Sequence, residues 1–372
     1  MRCIFWFVLA AVLRPVTSYD ILRDYSGTTF FDRWDYYGNE DNLTFGNANY
    51  LDRDTASQQS LTYTNANGRA VIKVDNSSFV SPGQNRNSIR ITTQDFYEIG
   101  SLWVIDATHL PWGCSTWPAF WSTGINWPDN GEIDIIEAVN NMGNNQFALH
   151  TTEGCWLPDY SWQTGDTRTK DCSQGSGCVV AVTEPNSYNS GFAAVGGGVY
   201  ALQFDAAGIF MWFWSRPDIP ASIINSTSTS SLDISQWGQP TASYPASSCN
   251  ISQYFGPQQL VIDITLCGDW AGVPATYNAT CQFTPTSQCY ADNVPGNGSN
   301  FDDAYFEISY IRTYTTSSAI PSPTSVSTET TSSASPTPSG NSLSSPAIRS
   351  YSLHLPAMIL AVIIFVGLKM LG

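Results

Sequence analysis

Glu132, Asp134 and Glu137 stand in the stretch WPDNGEIDIIEAVN (Trp127–Asn140), where Ile133, Ile135 and Ile136 otherwise spell a buried apolar strand. Carboxylates are costly to desolvate unless they face a polar cleft, so a solvated charged face fits poorly with the isoleucines between them. Strand alternation puts Glu132 and Asp134 on one face and sends Glu137 to the other. A β-bulge at Ile135 or Ile136 would return Glu137 to the face of Glu132, and bulges are frequent beside active sites. The two Glu backbones then lie about four rungs, or roughly 13 Å, apart. Side chains leaning toward each other along a concave strand can close most of that gap. Carboxyls about 5 to 5.5 Å apart can cleave a glycosidic bond with retention, one attacking the anomeric carbon while the other gives and then takes a proton. Asp134, between them, would share a proton or hydrogen bond with the attacking carboxylate and help set the two pKa values apart.

Strands must carry this arrangement, and the chain supplies them. Short alternating or apolar runs bounded by Gly, Pro, Asn and Ser recur: RAVIKVD, NSIRITTQ, GSLWVID, QFALHTT, GVYALQFD, GIFMWFW, QLVIDITL and AYFEISYIRTY. Long helical periodicity is absent, so the fold class is all-β. With this many strands, two packed antiparallel sheets in a curved jelly roll bury the inner faces and leave a concave outer face for a ligand. No internal repeat argues for a propeller. The 372 residues carry a formal net charge of -16, only 12% charged side chains and 13% aromatic ones. That balance excludes disorder over most of the length, and without a Lys/Arg cluster it disfavours nucleic acid as a partner. Thirteen Trp and 18 Tyr suit a groove that stacks on the apolar faces of sugars, although large rings also fill sandwich cores.

Both ends read as processing signals. Residues 1–18 combine Arg2, an apolar run and small residues before Tyr19, a signal peptide that directs the chain to the secretory pathway. Residues 19–314 form the folded unit, and 315–345 a Ser/Thr/Pro-rich stalk unable to bury a core. Residues 346–372 end in an apolar run too short for a comfortable span. With small residues around Gly340 they fit a lipid-anchor (GPI) signal better than a single membrane span. The expected product is a monomer at the cell surface or wall, attached to the membrane through its lipid.

Removing Cys3 with the leader leaves eight of nine cysteines, an even number that suggests disulfides in an oxidising compartment. The short spacings favour local Cys172/Cys178 and Cys281/Cys289 loops. Six sequons, at Asn42, Asn76, Asn225, Asn250, Asn278 and Asn297, agree with secretion. No zinc spacing, calcium loop or GxSxG nucleophile is present, so no metal or cofactor is expected.

GEIDIIEAVN carries the E-x-D-x-x-E pattern, and together with GCSTWPAFW and LCGDWAG in the same order the chain resembles glycoside hydrolase family 16, in its bulged laminarinase-type branch. The resemblance covers most of residues 19–314. It implies a jelly-roll sandwich of the concanavalin A-like lectin/glucanase kind and endo-acting hydrolysis of β-1,3 or mixed 1,3/1,4-linked glucans. By the same resemblance Glu132 is the nucleophile, Glu137 the general acid/base and Asp134 the assisting acid. His150, in FALHTT, would approach them, whereas His109 reads as structural and His354 belongs to the tail. Trp103, Trp117, Trp121 and Trp270 are the candidate sugar platforms. Trp117 and Trp121, four apart, share one strand face. Asp269 reads as a turn residue ahead of a partner for sugar hydroxyls, and Arg90 and Arg216 as surface residues ahead of partners for cleft carboxylates. Two other functions stay open: transfer of the glycosyl group to a glucan hydroxyl instead of water, and a non-catalytic glucan-binding lectin.

Overall fold

The computed structural model describes residues 18–282 and 285–316. Most of the leader, the stalk from residue 317 and the anchor tail with Gly340 lie outside the described residues. Strands dominate, and among the described residues the longest helix, Pro274–Thr280, has 7 residues. None is long and apolar enough to cross a membrane.

Two antiparallel sheets make the body. The eight-stranded sheet runs in the order Asp166–Thr167, Cys178–Ala181, Gln146–His150, Glu132–Glu137, Thr116–Thr123, Gln259–Leu266, Arg90–Thr93 and Trp34–Tyr36. The nine-stranded sheet runs Leu232–Asp233, Ser18–Ser26, Tyr305–Thr315, Ser101–His109, Gly198–Asp205, Gly208–Ser215 and Ala242–Pro245, with Ala70–Lys73 and Thr62–Thr64 branching from Tyr305–Thr315. This is the all-β sandwich expected from the patterning.

Alternation explains which side chains meet between the sheets. Ile133, Ile135, Ile136, Phe120, Phe147, Leu149, Ile262 and Ile264 leave the eight-stranded sheet and join Trp103, Ile105, Leu202 and Phe204 from the other in one buried core. Each such side chain stabilises by about 1.5–3 kcal/mol when buried, and a one-residue slip would turn a whole row to water, so the register is strongly held. The far face of the nine-stranded sheet carries a second cluster, in which Leu102, Val104, Val199, Trp212 and Leu232 pack with Ile219, Ile223 and Trp237. The outer face of the eight-stranded sheet is left for the acids.

All eight described cysteines are paired, as Cys114–Cys281, Cys155–Cys249, Cys172–Cys178 and Cys267–Cys289. The local Cys172–Cys178 loop is present. The expected Cys281/Cys289 loop is not: each of those cysteines instead reaches back to the sheet. Their partners Cys114 and Cys267 lie beside the strands Thr116–Thr123 and Gln259–Leu266. Proximity across strands, invisible in spacing, decided the pairing. These two bridges tie down the segment that carries Trp270.

Candidate active site

The strand Glu132–Glu137 contains the bulge. Against Thr116–Thr123, Asp134 faces Trp121 and Ile136 already faces Phe120. Against Gln146–His150, Asp134 faces Ala148 while Glu137 faces Gln146. One residue is therefore extra relative to both neighbours, and Ile135 and Ile136 both go to the core. The register fixes the faces. Glu132, Asp134 and Glu137 oppose Thr123, Trp121 and Ala119 on one side, and His150, Ala148 and Gln146 on the other. Both sets step by two, so they share one face, and the three acids share it with them. Gly131, at φ +73°, opens the strand in the left-handed region; a Cβ there would come 2.2 Å from Phe255 Cδ1, so only glycine suits that turn.

The acids are held differently. Asp134 is sealed, its side chain 3% exposed, whereas that of Glu132 is 19% exposed and accessible from the cleft. His150 Nε2 stands 3.4 Å from Asp134 Oδ2 and 3.9 Å from Glu132 Oε1. Trp127, beside Glu132, draws its pKa back down. Trp117 Nε1–H donates to Glu137 Oε1 at 3.0 Å, and Gln146, opposite Glu137 across the strands, also draws its pKa down. Desolvation, the largest cause, raises all three carboxyls, each to about 8; the charge of Asp134 then pushes up both glutamates. Three acids packed this closely cannot all ionise near neutrality, so the site retains a proton, which is what an acid and a nucleophile side by side require. One atom each from Glu132, Asp134 and His150 lie within 4.8 Å of one another and could hold a small cation.

These shifts couple the site to stability. A carboxyl whose pKa rises from about 4 to about 8 on folding binds its proton more tightly in the folded state, so its contribution to stability falls as pH climbs through that window. Asp134→Asn is therefore expected to be more stable than the native protein at pH 8, by about 1 kcal/mol or more, with the gap shrinking toward pH 5. Denaturant unfolding of both proteins at the two pH values checks this, and a gap that is equal or larger at pH 5 would contradict it.

Of the four expected Trp platforms, three lie on the acid side. Trp117 packs edge-on against Trp270, ring centres 5.4 Å apart, beside Glu137. Trp121 lies mostly buried on the same face, its Nε1–H donating to Asp263 Oδ2 at 3.2 Å. Trp103 is a correction: it is 1% exposed, on the other sheet, packed among Tyr97 and Phe204 in the core. Alternation set its period but not which face of which sheet it would meet. His109 bonds the Tyr305 carbonyl and stacks on the Tyr305 ring, a structural place. Arg216 pairs with Asp106 on the nine-stranded sheet. Asp269 is exposed, in the first turn of the short helix Gly268–Ala271.

Arg90 is not a surface residue. Its guanidinium lies over the Trp121 and Tyr37 rings and 4.0 Å from Asp263, on the cleft face. Asp263 itself, raised to about 6 by burial and drawn back by Arg90, escaped the sequence reading, although an acid inside QLVIDITL is the same signal that exposed Glu132. Trp127, 61% exposed beside Glu132, was missed as well; it stands five residues before Glu132. Asn145 gave no signal, because an Asn in NMGNNQ reads as a turn.

A profile of the family described as XgeA-like, catalytic GH16 domain matches residues 34–314. A probable endo-1,3(4)-beta-glucanase of Neosartorya fischeri is 36% identical over 321 residues, 84% of this chain and 48% of that relative. The chain thus spans about half the length of that relative. Laminarinase 16A from Phanerochaete chrysosporium, solved with two beta-glucans in donor and acceptor sites, is 34% identical with a TM-score of 0.74, covering 80% of this chain and 99% of its own. An elongating GH family 16 beta-1,3-glucosyltransferase is 37% identical with the same TM-score, covering 80% of this chain and 100% of its own.

Proposed function

Since the chain belongs to glycoside hydrolase family 16, we propose that it cleaves β-1,3 or mixed 1,3/1,4-linked glucans internally by a retaining double displacement. The observation that carries the proposal is the bulge, which turns Glu132 and Glu137 to one face with Asp134 between them. Glu132 attacks the anomeric carbon while Glu137, its pKa raised by burial, protonates the departing glycosidic oxygen. Water, deprotonated by Glu137, then releases the sugar from Glu132. Asp134 and His150 hold the charge and protons of Glu132 between the two steps. Trp117, Trp121 and Trp270 present ring faces to the pyranose. The names of the glucanase relative and of the laminarinase neighbour support β-glucan as the substrate.

Digestion of a panel of defined β-glucans tests this. The expected result is rapid fall in the viscosity of a 1,3-linked or mixed-linkage glucan with release of short oligosaccharides whose new reducing ends are initially β. Release of single glucose units alone, or of α-anomers, would overturn it.

The structural likeness to an elongating glucosyltransferase favours one second reading, transfer to a glucan hydroxyl. A labelled laminari-oligosaccharide acceptor distinguishes the two: label in products longer than the acceptor signals transfer, label left in the acceptor signals hydrolysis. Secretion and lipid tethering complete the proposal. They are supported by the leader-like residues 1–18, the stalk and apolar tail, and four disulfides suited to an oxidising compartment. Growth with a radiolabelled anchor precursor would test the tether through label on the protein.

A further inference from the structure

A bulge leaves backbone groups on the bulged strand without ladder partners, and buried groups of that kind must be satisfied elsewhere. One side chain does this here. Asn145 is 1% exposed; its Nδ2–H donates to the Ile135 carbonyl at 2.9 Å and its Oδ1 accepts from the Glu137 N–H at 2.8 Å. The amide thus spans the bulge from the Ile135 carbonyl to the Glu137 N–H, with one donor and one acceptor. Its own backbone is fixed from the other side, where its N–H donates to Ser187 Oγ at 3.1 Å and its carbonyl accepts from Val182 N–H at 2.9 Å. Asn145 directly precedes Gln146, which faces Glu137 across the strands.

We infer that Asn145 is the positioning residue that fixes where the bulge falls and so aims the Glu137 carboxyl at the glycosidic oxygen. It does not touch substrate. Asparagine is required because the two backbone groups need a donor and an acceptor from one short planar side chain. Aspartate would set a second acceptor against the Ile135 carbonyl, and alanine would leave both groups unpaired. The inference rests on the proposed role of Glu137 as proton donor, and the test separates the two.

Asn145→Ala, Asn145→Asp and Glu137→Gln are compared with the native enzyme on a β-1,3-gluco-oligosaccharide and on its 2,4-dinitrophenyl glycoside. The phenol leaves without help from an acid, the sugar does not. Both Asn145 variants are expected to lose about 10²-fold in kcat on the oligosaccharide, with little change in KM, and far less in the bond-breaking step on the aryl glycoside. Equal losses on both substrates, a loss confined to KM, or native kcat would overturn the inference. If Glu137→Gln shows no such difference between substrates, the proton-donor role fails and the inference falls with it. If Glu137→Gln shows it and the Asn145 variants do not, only the inference fails. Should neither Asn145 variant reach a native near-ultraviolet circular dichroism spectrum, Asn145 serves folding rather than aim, and the inference is again overturned.

Discussion

Glu132→Gln is expected to lower turnover on a β-1,3-glucan by about 10⁴-fold or more, the scale on which loss of a nucleophile acts. Gln is nearly isosteric and fills the same space at position 132, opposite Thr123 and His150. The folded structure should therefore survive, and removing one of three mutually repelling carboxyls should stabilise it. Loss of activity together with an unchanged or raised melting temperature separates a chemical role from a structural one. Glu132→Ala goes further by leaving room for a small anion on the face from which the carboxylate attacked. With an activated glycosyl donor, azide should form the bond to the anomeric carbon as the leaving group departs, giving a glycosyl azide of inverted configuration. A fully active Glu132→Gln enzyme, or an azide product of retained configuration from Glu132→Ala, would remove Glu132 from the nucleophile's place.

How much of this was legible in the chain follows from the kind of interaction involved. Period-two runs gave the strands and the sandwich, because burial of one face leaves a local imprint on the sequence. The bulge was legible as well, since E-I-D-I-I-E puts three acids on one face only if one residue is added. What escaped were facts about neighbours. Trp103 has the same local pattern as a groove residue, yet its partners Tyr97 and Phe204 belong to the core. Cys281 and Cys289 are near in sequence, but their bridges go to Cys114 and Cys267. For Arg90 the sequence favoured a surface charge over a partner for a cleft carboxylate, and Trp121, Tyr37 and Asp263 decide for the second. The clasp on the bulge, Asn145, sits where sequence predicts only a turn, because its work is done by hydrogen bonds to residues eight and ten positions earlier in the chain.

Glu137 should behave differently from Glu132 in a way that the geometry predicts. Its carboxyl accepts from the Trp117 indole N–H and sits in a site where desolvation raises its pKa. Near neutral pH it therefore keeps the proton that the leaving oxygen needs, and activity on glucan should decline on the alkaline side as that proton is lost. Glu137→Gln cannot cycle between acid and base. On polysaccharide the expected loss is about 10²- to 10⁴-fold, the usual worth of general acid–base catalysis, and the alkaline limb should disappear from what activity remains. On an aryl glycoside the first step should proceed and the glycosyl enzyme accumulate, seen as a burst of phenol followed by slow turnover, because water now lacks its base. Azide needs no base, so it should restore turnover for Glu137→Ala and give a glycosyl azide of retained configuration, the opposite anomer to that expected from Glu132→Ala. The pair of anomers assigns both residues at once: if Glu137→Ala gave the inverted azide, or if its burst were absent while Glu132→Ala showed one, the two roles would have to be exchanged along the strand.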